Sequence, residues 1–464
     1  MRIRSGVFVV VLLLTCLMFA TGLHFDEVSR FQKNELKIRL NFSIPYEEAK
    51  NIIQSHYPAF TTDEEIIDFV KTRRIQRLET EDGLFFFSEF EENLFYRDPE
   101  LRLQHPEWTE KTKPVVVSFL EEYVSETLLT NGFKRRLTPY FKPRTIVVDY
   151  AVSVPKSELP DTGFLKIWMP LPLLSPYQNN ISILDVQPAE ALLGYPVVDG
   201  DLAYLVLRFD LERAPDPFEL RYAYTYTRYQ QHFDVAVDRI APYDTESPLY
   251  KTYTKSAGGA FYDERFRELA LTIVGGETNP YRQAKLFYDY IIDHIDYSFM
   301  AHSYYEAVQI PESVVVFENG YGDCGSQSMF FSALCRSIGI PARTTGGFQL
   351  FGDQLGSHFW AEFYLPEYGW IPVDTSAGQI ALLTSGITEE QRSAFRDYFF
   401  GNLDPLRLTV QNDVDLTPAV KPEDVQFLSV VLQLPYVDCE HGNEAFEVSE
   451  LLLTSVTERV RLIY

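Results

Sequence analysis

The spacing of apolar residues changes along the chain, and each change predicts a different kind of element. From His24 to about Lys142 the sequence is rich in charge and leans to helix. Thr62 stands where an N-cap belongs, with Glu65 three residues later ahead of Ile66, Ile67 and Val70. The aromatic residues Phe85, Phe86, Phe87, Phe90, Phe95 and Tyr96 read as packing, because aromatics most often fill cores. The period then falls to two: Ile146, Val148, Tyr150, Val152 and Val154 alternate along one segment, and Leu220, Tyr222, Tyr224 and Tyr226 along another. With Gly163 to Pro172 and Leu202 to Phe209 between them, and turn residues at Pro160, Asp161, Asp199, Gly200, Pro215 and Pro217, residues 143–232 read as an antiparallel β-sandwich. Helical spacing returns at Phe266, Leu269, Ala270 and Ile273, ends at Gly275-Gly276, and restarts with Asn279 as N-cap and Pro280 at the first helical position. The apolar face of that second helix is Ala284, Phe287, Tyr288, Ile291 and Ile295. The tail from Leu406 to Tyr464 reads as strand-rich.

A chain of 464 residues is long for one core, and 46% hydrophobic residues make it globular rather than disordered. Lys plus Arg number 41 against 66 for Asp plus Glu, a net charge of −25 that repels nucleic acid and anionic lipid. A nucleic-acid partner is therefore excluded. Arg2 and Arg4 followed by the apolar run Val7 to Ala20 and the small residues Ala20, Thr21 and Gly22 have the layout of an export signal, residues 1–22, with an uncleaved membrane anchor as the alternative. The expected location is extracellular or in the cell envelope. Beyond that leader, which carries Cys16, stand Cys324, Cys335 and Cys439, too few for a disulfide scaffold and odd in number.

The densest chemical information lies between Asn319 and Phe348, NGYGDCGSQSMFFSALCRSIGIPARTTGGF. Asp323 caps a predicted helix whose buried face is Met329, Phe330, Ala333, Leu334 and Ile338, and which stops at Gly339 and Pro341. Cys324 then sits in the first turn, where free N–H groups and the helix dipole favour the thiolate and would lower the thiol pKa. Cys335, in the apolar part of the same helix, reads as core. A thiol nucleophile needs a base, and an imidazole base needs an orienting partner. His358 and Asp374 fit those roles. Ser357 to Leu365 reads as a strand and Trp370 to Asp374 as its return. A three-residue loop at Pro366-Glu367-Tyr368, with Gly369 supplying the left-handed residue, pairs Leu365 with Gly369. His358 and Asp374 then share a face as diagonal neighbours, about 7–8 Å apart at the backbone.

These residues resemble the transglutaminase-like superfamily of papain-type thiol enzymes. The likeness rests on the Gly322-Asp323-Cys324 triplet with its helix, the Gly339-Ile340-Pro341-Ala342-Arg343 that follows, His358-Phe359-Trp360-Ala361-Glu362, and the strand from Gly369 to Asp374. It extends more weakly to a β-domain ahead of the core, the helix from Tyr281 to Tyr297, and the segment Phe399 to Leu408. The resemblance implies an α+β fold, a papain-like core with the nucleophile helix packed on an antiparallel sheet, and a catalytic Cys324, His358 and Asp374. The residue patterns and this resemblance together divide the chain into a leader (1–22), a mostly helical N-terminal region (23–142) to which the resemblance does not extend, the β-sandwich (143–232), a catalytic domain (233–398) and a β-rich C-terminal extension (399–464).

The implied activity is cleavage or transfer of acyl groups at amide bonds through a Cys324 acyl-enzyme, with hydrolysis favoured over crosslinking and a protein or peptide-like amide as partner. A non-catalytic envelope or adhesion module that keeps the fold is the competing reading. No cofactor and no metal is expected: Cys439 with His441 makes only two candidate ligands, and Asp289, Asp293, His294 and Asp296 read as a solvated helix face.

Overall fold

The computed structural model describes residues 38–39, 41–124, 138–351, 354–420, 431–439 and 456–463. The predicted leader, Cys16 and His441 lie outside them. The described residues fall into two units, one within Met1–Glu92 and Met300–Ile310, the other within Asn93–Phe299 and Pro311–Tyr464.

In the first unit β1 (Ile44–Pro45) leads into α1 (Tyr46–His56), and α2 (Asp63–Thr72) precedes the hairpin of β2 (Arg77–Thr80) and β3 (Gly83–Phe86). The strands order β1-β3-β2. The capping box read at Thr62 is formed: its hydroxyl accepts from the Glu65 N–H while the Glu65 carboxylate accepts from the Thr62 N–H. Phe86, Phe87 and Phe90 are buried, so the aromatic run is core here.

The second unit holds the long antiparallel pair β4 (Tyr140–Val154) and β8 (Phe218–His232), with β5 (Phe164–Pro170), β6 (Gln178–Gln187) and β7 (Tyr204–Asp210) between them in sequence. The alternation read from Leu220 to Tyr226 faces a shared core and runs on to Arg228, which is also fully buried. Helices α3 (Glu264–Val274), α4 (Pro280–His294) and α5 (Glu312–Asn319) follow, with the two-residue strands β9 (Asp296–Tyr297) and β10 (Tyr321–Gly322) pairing in parallel. Then come α6 (Cys324–Ser337), β11 (Ala342–Phe351), β12 (Gln354–Leu365), β13 (Gly369–Val373), α7 (Thr375–Leu383) and α8 (Glu389–Tyr398).

The remaining strands, from the segment read as a β-rich C-terminal extension, pair with earlier ones. β14 (Asn402–Leu403) pairs with β8, β16 (Tyr436–Cys439) with β5 and β17 (Val456–Ile463) with β4. β15 (Arg407–Gln411) completes the sheet β13-β12-β11-β15. Each late strand covers an edge that the earlier strands leave unpaired. Helix α6 also differs from its one-sided pattern. Residues from Gly325 to Ser337 are all buried, because α3, α4, α5 and α7 surround the faces that do not lie on β11 and β12.

Candidate active site

Helix α6 starts where the sequence places it. The Asp323 carboxylate accepts from the Ser326 N–H at 2.9 Å and the Ser326 hydroxyl accepts from the Asp323 N–H, also at 2.9 Å, a reciprocal cap that leaves Cys324 as the first helical residue. A Cβ on Gly325 would meet the Phe359 ring at 3.3 Å, so glycine lets this turn sit close against β12. The backbone N–H groups of Phe359 and Gly325 favour the ionised form of the Cys324 thiol, and the residue is half-buried. Strand β13 ends at Val373 opposite Ala361, so Phe359 lies past the end of its ladder and can turn its N–H to the thiol.

The hairpin has the predicted register. Leu365 pairs with Gly369, whose φ is 84°, and the ladder runs to Ala361 and Val373. His358 Nε2 reaches Asp374 Oδ2 at 2.7 Å, with the imidazole nearly and the carboxylate wholly buried. An ionised Asp374 can only accept, which assigns the proton to Nε2 and leaves Nδ1 as the basic nitrogen. The Gln433 amide donates to the carbonyls of Gly347 and His358 at 2.6 and 2.9 Å and so braces that part of β12.

Asp374 is also the N-cap of α7. Its Oδ1 accepts from the Ala377 N–H at 2.9 Å and the Ser376 hydroxyl at 3.2 Å. Its Oδ2 accepts from Arg407 Nη1 at 2.6 Å in addition to His358, and Arg407 Nε donates to Asp404 Oδ2 at 2.9 Å. Burial opposes ionisation of Asp374, but His358 and Arg407 outweigh it and hold the carboxyl well below the usual carboxylate range.

The thiol is tuned against the sequence expectation. Burial, and after it the Asp323 carboxylate, push Cys324 above the ordinary thiol value; the Phe359 and Gly325 backbone N–H groups act the other way and do not prevail. The helix terminus alone predicts a lowered value, and the surroundings that reverse it are tertiary.

Three further groups belong to this site and have no local signature. Arg407 and Asp404 lie in the segment Phe399 to Leu408, whose likeness to a downstream family element was the available signal. Tyr297 pairs with Gly322 two residues before the cysteine. Burial and then the Cys324 thiol push its phenol well above the ordinary value, so it stays protonated, and it has no hydrogen-bond partner among the described residues. Its ring packs against Tyr96 and Phe299 at centroid distances of 4.8 and 5.8 Å. Gln327, by contrast, is committed: its amide donates to the Gly322 carbonyl and to Gln379. Glu362, from the segment that carries His358, is paired with Arg343 at 2.6 Å.

The other candidates fall elsewhere. Cys335 is a wholly buried free thiol, as its core reading expects. Asp289 and Asp293 are ion-paired with Arg396, and His294 stacks on Tyr290.

Residues 267–375 match the family model of the transglutaminase-like superfamily, a span that takes in Cys324, His358 and Asp374. This chain carries a transglutaminase-like domain. Over 176 residues it is 28% identical to an uncharacterized protein of Haemophilus influenzae, covering 32% of this chain and 47% of that protein. It is 31% identical over 153 residues to the uncharacterized protein YebA of Bacillus subtilis, covering 28% and 20%. The chain thus spans less than half the length of these curated relatives. Among solved structures, a candidate cysteine protease from Cytophaga hutchinsonii matches with a TM-score of 0.36 at 15% identity, covering 65% of this chain and all of that one. The periplasmic domain of TgpA from Pseudomonas aeruginosa matches with a TM-score of 0.27 at 15% identity, covering 57% and 99%.

Proposed function

We propose that this chain is an exported cysteine-dependent amide hydrolase whose transglutaminase-like domain works through an acyl-enzyme at Cys324. The reading is carried by one observation: a buried His358–Asp374 pair at 2.7 Å on the strand whose next residue, Phe359, packs against Gly325 beside Cys324. Because burial and Asp323 raise the thiol, it rests protonated. Proton transfer to His358 Nδ1 then accompanies attack on the amide carbonyl. The imidazolium returns that proton to the leaving amine, and Asp374 keeps the ring oriented through Nε2. Water released onto the acyl-enzyme completes hydrolysis; a primary amine in its place would give transamidation. The unpartnered Tyr297 phenol and the backbone N–H groups at the start of α6 are the donors available to the developing oxyanion.

The substrate class is a protein or peptide amide, and the sheets built on the β4–β8 and β5–β7 pairs are read as a β-sandwich domain beside the catalytic core. Export rests on the Arg2 to Gly22 pattern. The test is amide cleavage by the whole chain against a peptide panel, with and without an added primary amine. Wild type is expected to release free amine and Cys324→Ser to lose that turnover. Binding of peptides with no Cys324-dependent turnover would replace this reading with the binding module.

A further inference from the structure

Asp374 Oδ2 is shared. It accepts from His358 Nε2 at 2.7 Å and from Arg407 Nη1 at 2.6 Å, and the same guanidinium reaches Asp404 Oδ2 at 2.9 Å through Nε. All three of Asp374, Arg407 and Asp404 are 0% exposed. The result is a buried line of groups, imidazole, carboxylate, guanidinium, carboxylate, in which each charge faces one of opposite sign. The guanidinium carbon lies over the rings of Trp360 and Phe399, 5.3 and 5.8 Å from their centroids, and β15 brings it to the sheet that carries His358. Among the described residues, other ionisable groups coupled to this line are Arg228 and Tyr398 at Arg407, Cys324, Tyr288 and Tyr297 at Asp374, and Tyr123 and Tyr398 at Asp404.

We propose that Arg407 is a positioning residue of the candidate active site, which fixes the rotation of the Asp374 carboxylate and hence the ring of His358, with Asp404 as the group that holds Arg407 in place. The proposal rests on the cysteine-hydrolase reading for its meaning but not for its test. A carboxylate tied at Oδ1 by Ala377 and Ser376 could still tilt about that anchor; a second fixed donor on Oδ2 removes the tilt and leaves one direction for the Nε2–H bond. A cation of fork geometry is needed, because one group must reach two carboxylates at once.

A merely structural role is separable from positioning. Arg407→Gln alone strands two buried carboxylates and is expected to destabilise the fold strongly. Arg407→Gln combined with Asp404→Asn removes one positive and one negative charge together and should restore thermal stability. The measurement is the rate of Cys324 alkylation by iodoacetamide on the whole chain near neutral pH, site-resolved by mass spectrometry, beside the melting temperature. If Arg407 positions Asp374, the double variant melts close to wild type yet alkylates about 10-fold more slowly, as Asp374→Asn does. A double variant that is stable and alkylates at the wild-type rate overturns the proposal. Arg407→Lys is the second probe: it keeps the charge, reaches only one carboxylate at a time, and should also slow alkylation several-fold. Wild-type speed in Arg407→Lys would likewise overturn it. Neither readout requires amide turnover, so a wild-type chain that cleaves nothing defeats the hydrolase reading while alkylation still decides the role of Arg407.

Discussion

Phe359 packs its ring against Gly325 in the first turn of α6, where an added Cβ would meet it at 3.3 Å, one residue along β12 from His358. Nucleophile and base are thus referred to the same short piece of strand, and the helix cannot shift along the sheet without disturbing that contact. The Asp323 cap that starts the helix also sets its cost, since its carboxylate is, after burial, the main reason the thiol stays protonated.

Asp323→Asn separates the cap from the charge. Asparagine is as good an N-cap as aspartate, so the helix start survives. Removing a negative charge beside the sulfur favours the thiolate, so the Cys324 thiol should titrate at lower pH than in wild type. The pH dependence of site-resolved alkylation reads this directly. A curve unmoved or displaced to higher pH would contradict the assignment of Asp323 as a cause.

Tyr297→Phe tests the oxyanion assignment. Among the described residues the phenol has no hydrogen-bond partner, it is coupled electrostatically to the thiol, and alkylation builds no oxyanion. The variant should lose about 100-fold in kcat for amide cleavage, with KM little changed and the rate of Cys324 alkylation as in wild type. Equal loss in both assays would mean that the ring serves only to pack the site.

What the sequence made legible, and what it hid, follow from the range of the forces involved. The β12–β13 hairpin could be read to the residue because turn chemistry is local: Pro366 to Tyr368 and a left-handed Gly369 leave one register. The caps at Thr62, Asn279 and Asp323 are local in the same way. Arg407 lies 33 residues beyond Asp374 and reaches it only because β15 pairs with β11, and no alternation within a strand names its neighbour. Tyr297 arrives through a two-residue parallel pairing too short to leave a period. The same blindness hid which earlier strands the residues of 399–464 pair with, and it inverted the thiol, whose burial is a property of the packed helix and not of its first turn.

Asp374 predicts an acid-side signature. Its carboxyl is held well below the usual range in the folded chain and titrates at about 3.9 when unfolded. A depressed folded value contributes stability that is fully present above the unfolded pKa and is lost as pH falls from about 4 towards the folded value. Asp374→Asn lacks this contribution. The gap in unfolding free energy between wild type and variant, from denaturant titrations, should be widest above about pH 5 and narrow steadily below pH 4. A gap constant down to pH 2 would mean that Asp374 is not ionised against His358 and Arg407.

Gly347 ties the sheet to the site. It is the cross-strand partner of His358 on one side and faces β15 on the other, where a Cβ would lie 1.9 Å from the Leu408 carbonyl oxygen. That obstacle is backbone, so it cannot swing aside as a side chain would. Gly347→Ala must therefore push β15 away from β11, and Arg407 at the start of β15 moves with it. The expected cost is about 2 kcal/mol or more in stability, together with slower Cys324 alkylation at temperatures where the variant is still folded. The paired measurement distinguishes the route. Loss of stability with unchanged alkylation would show that the strain is absorbed at the Gly346–Gly347 bulge, before it reaches Arg407 and Asp374.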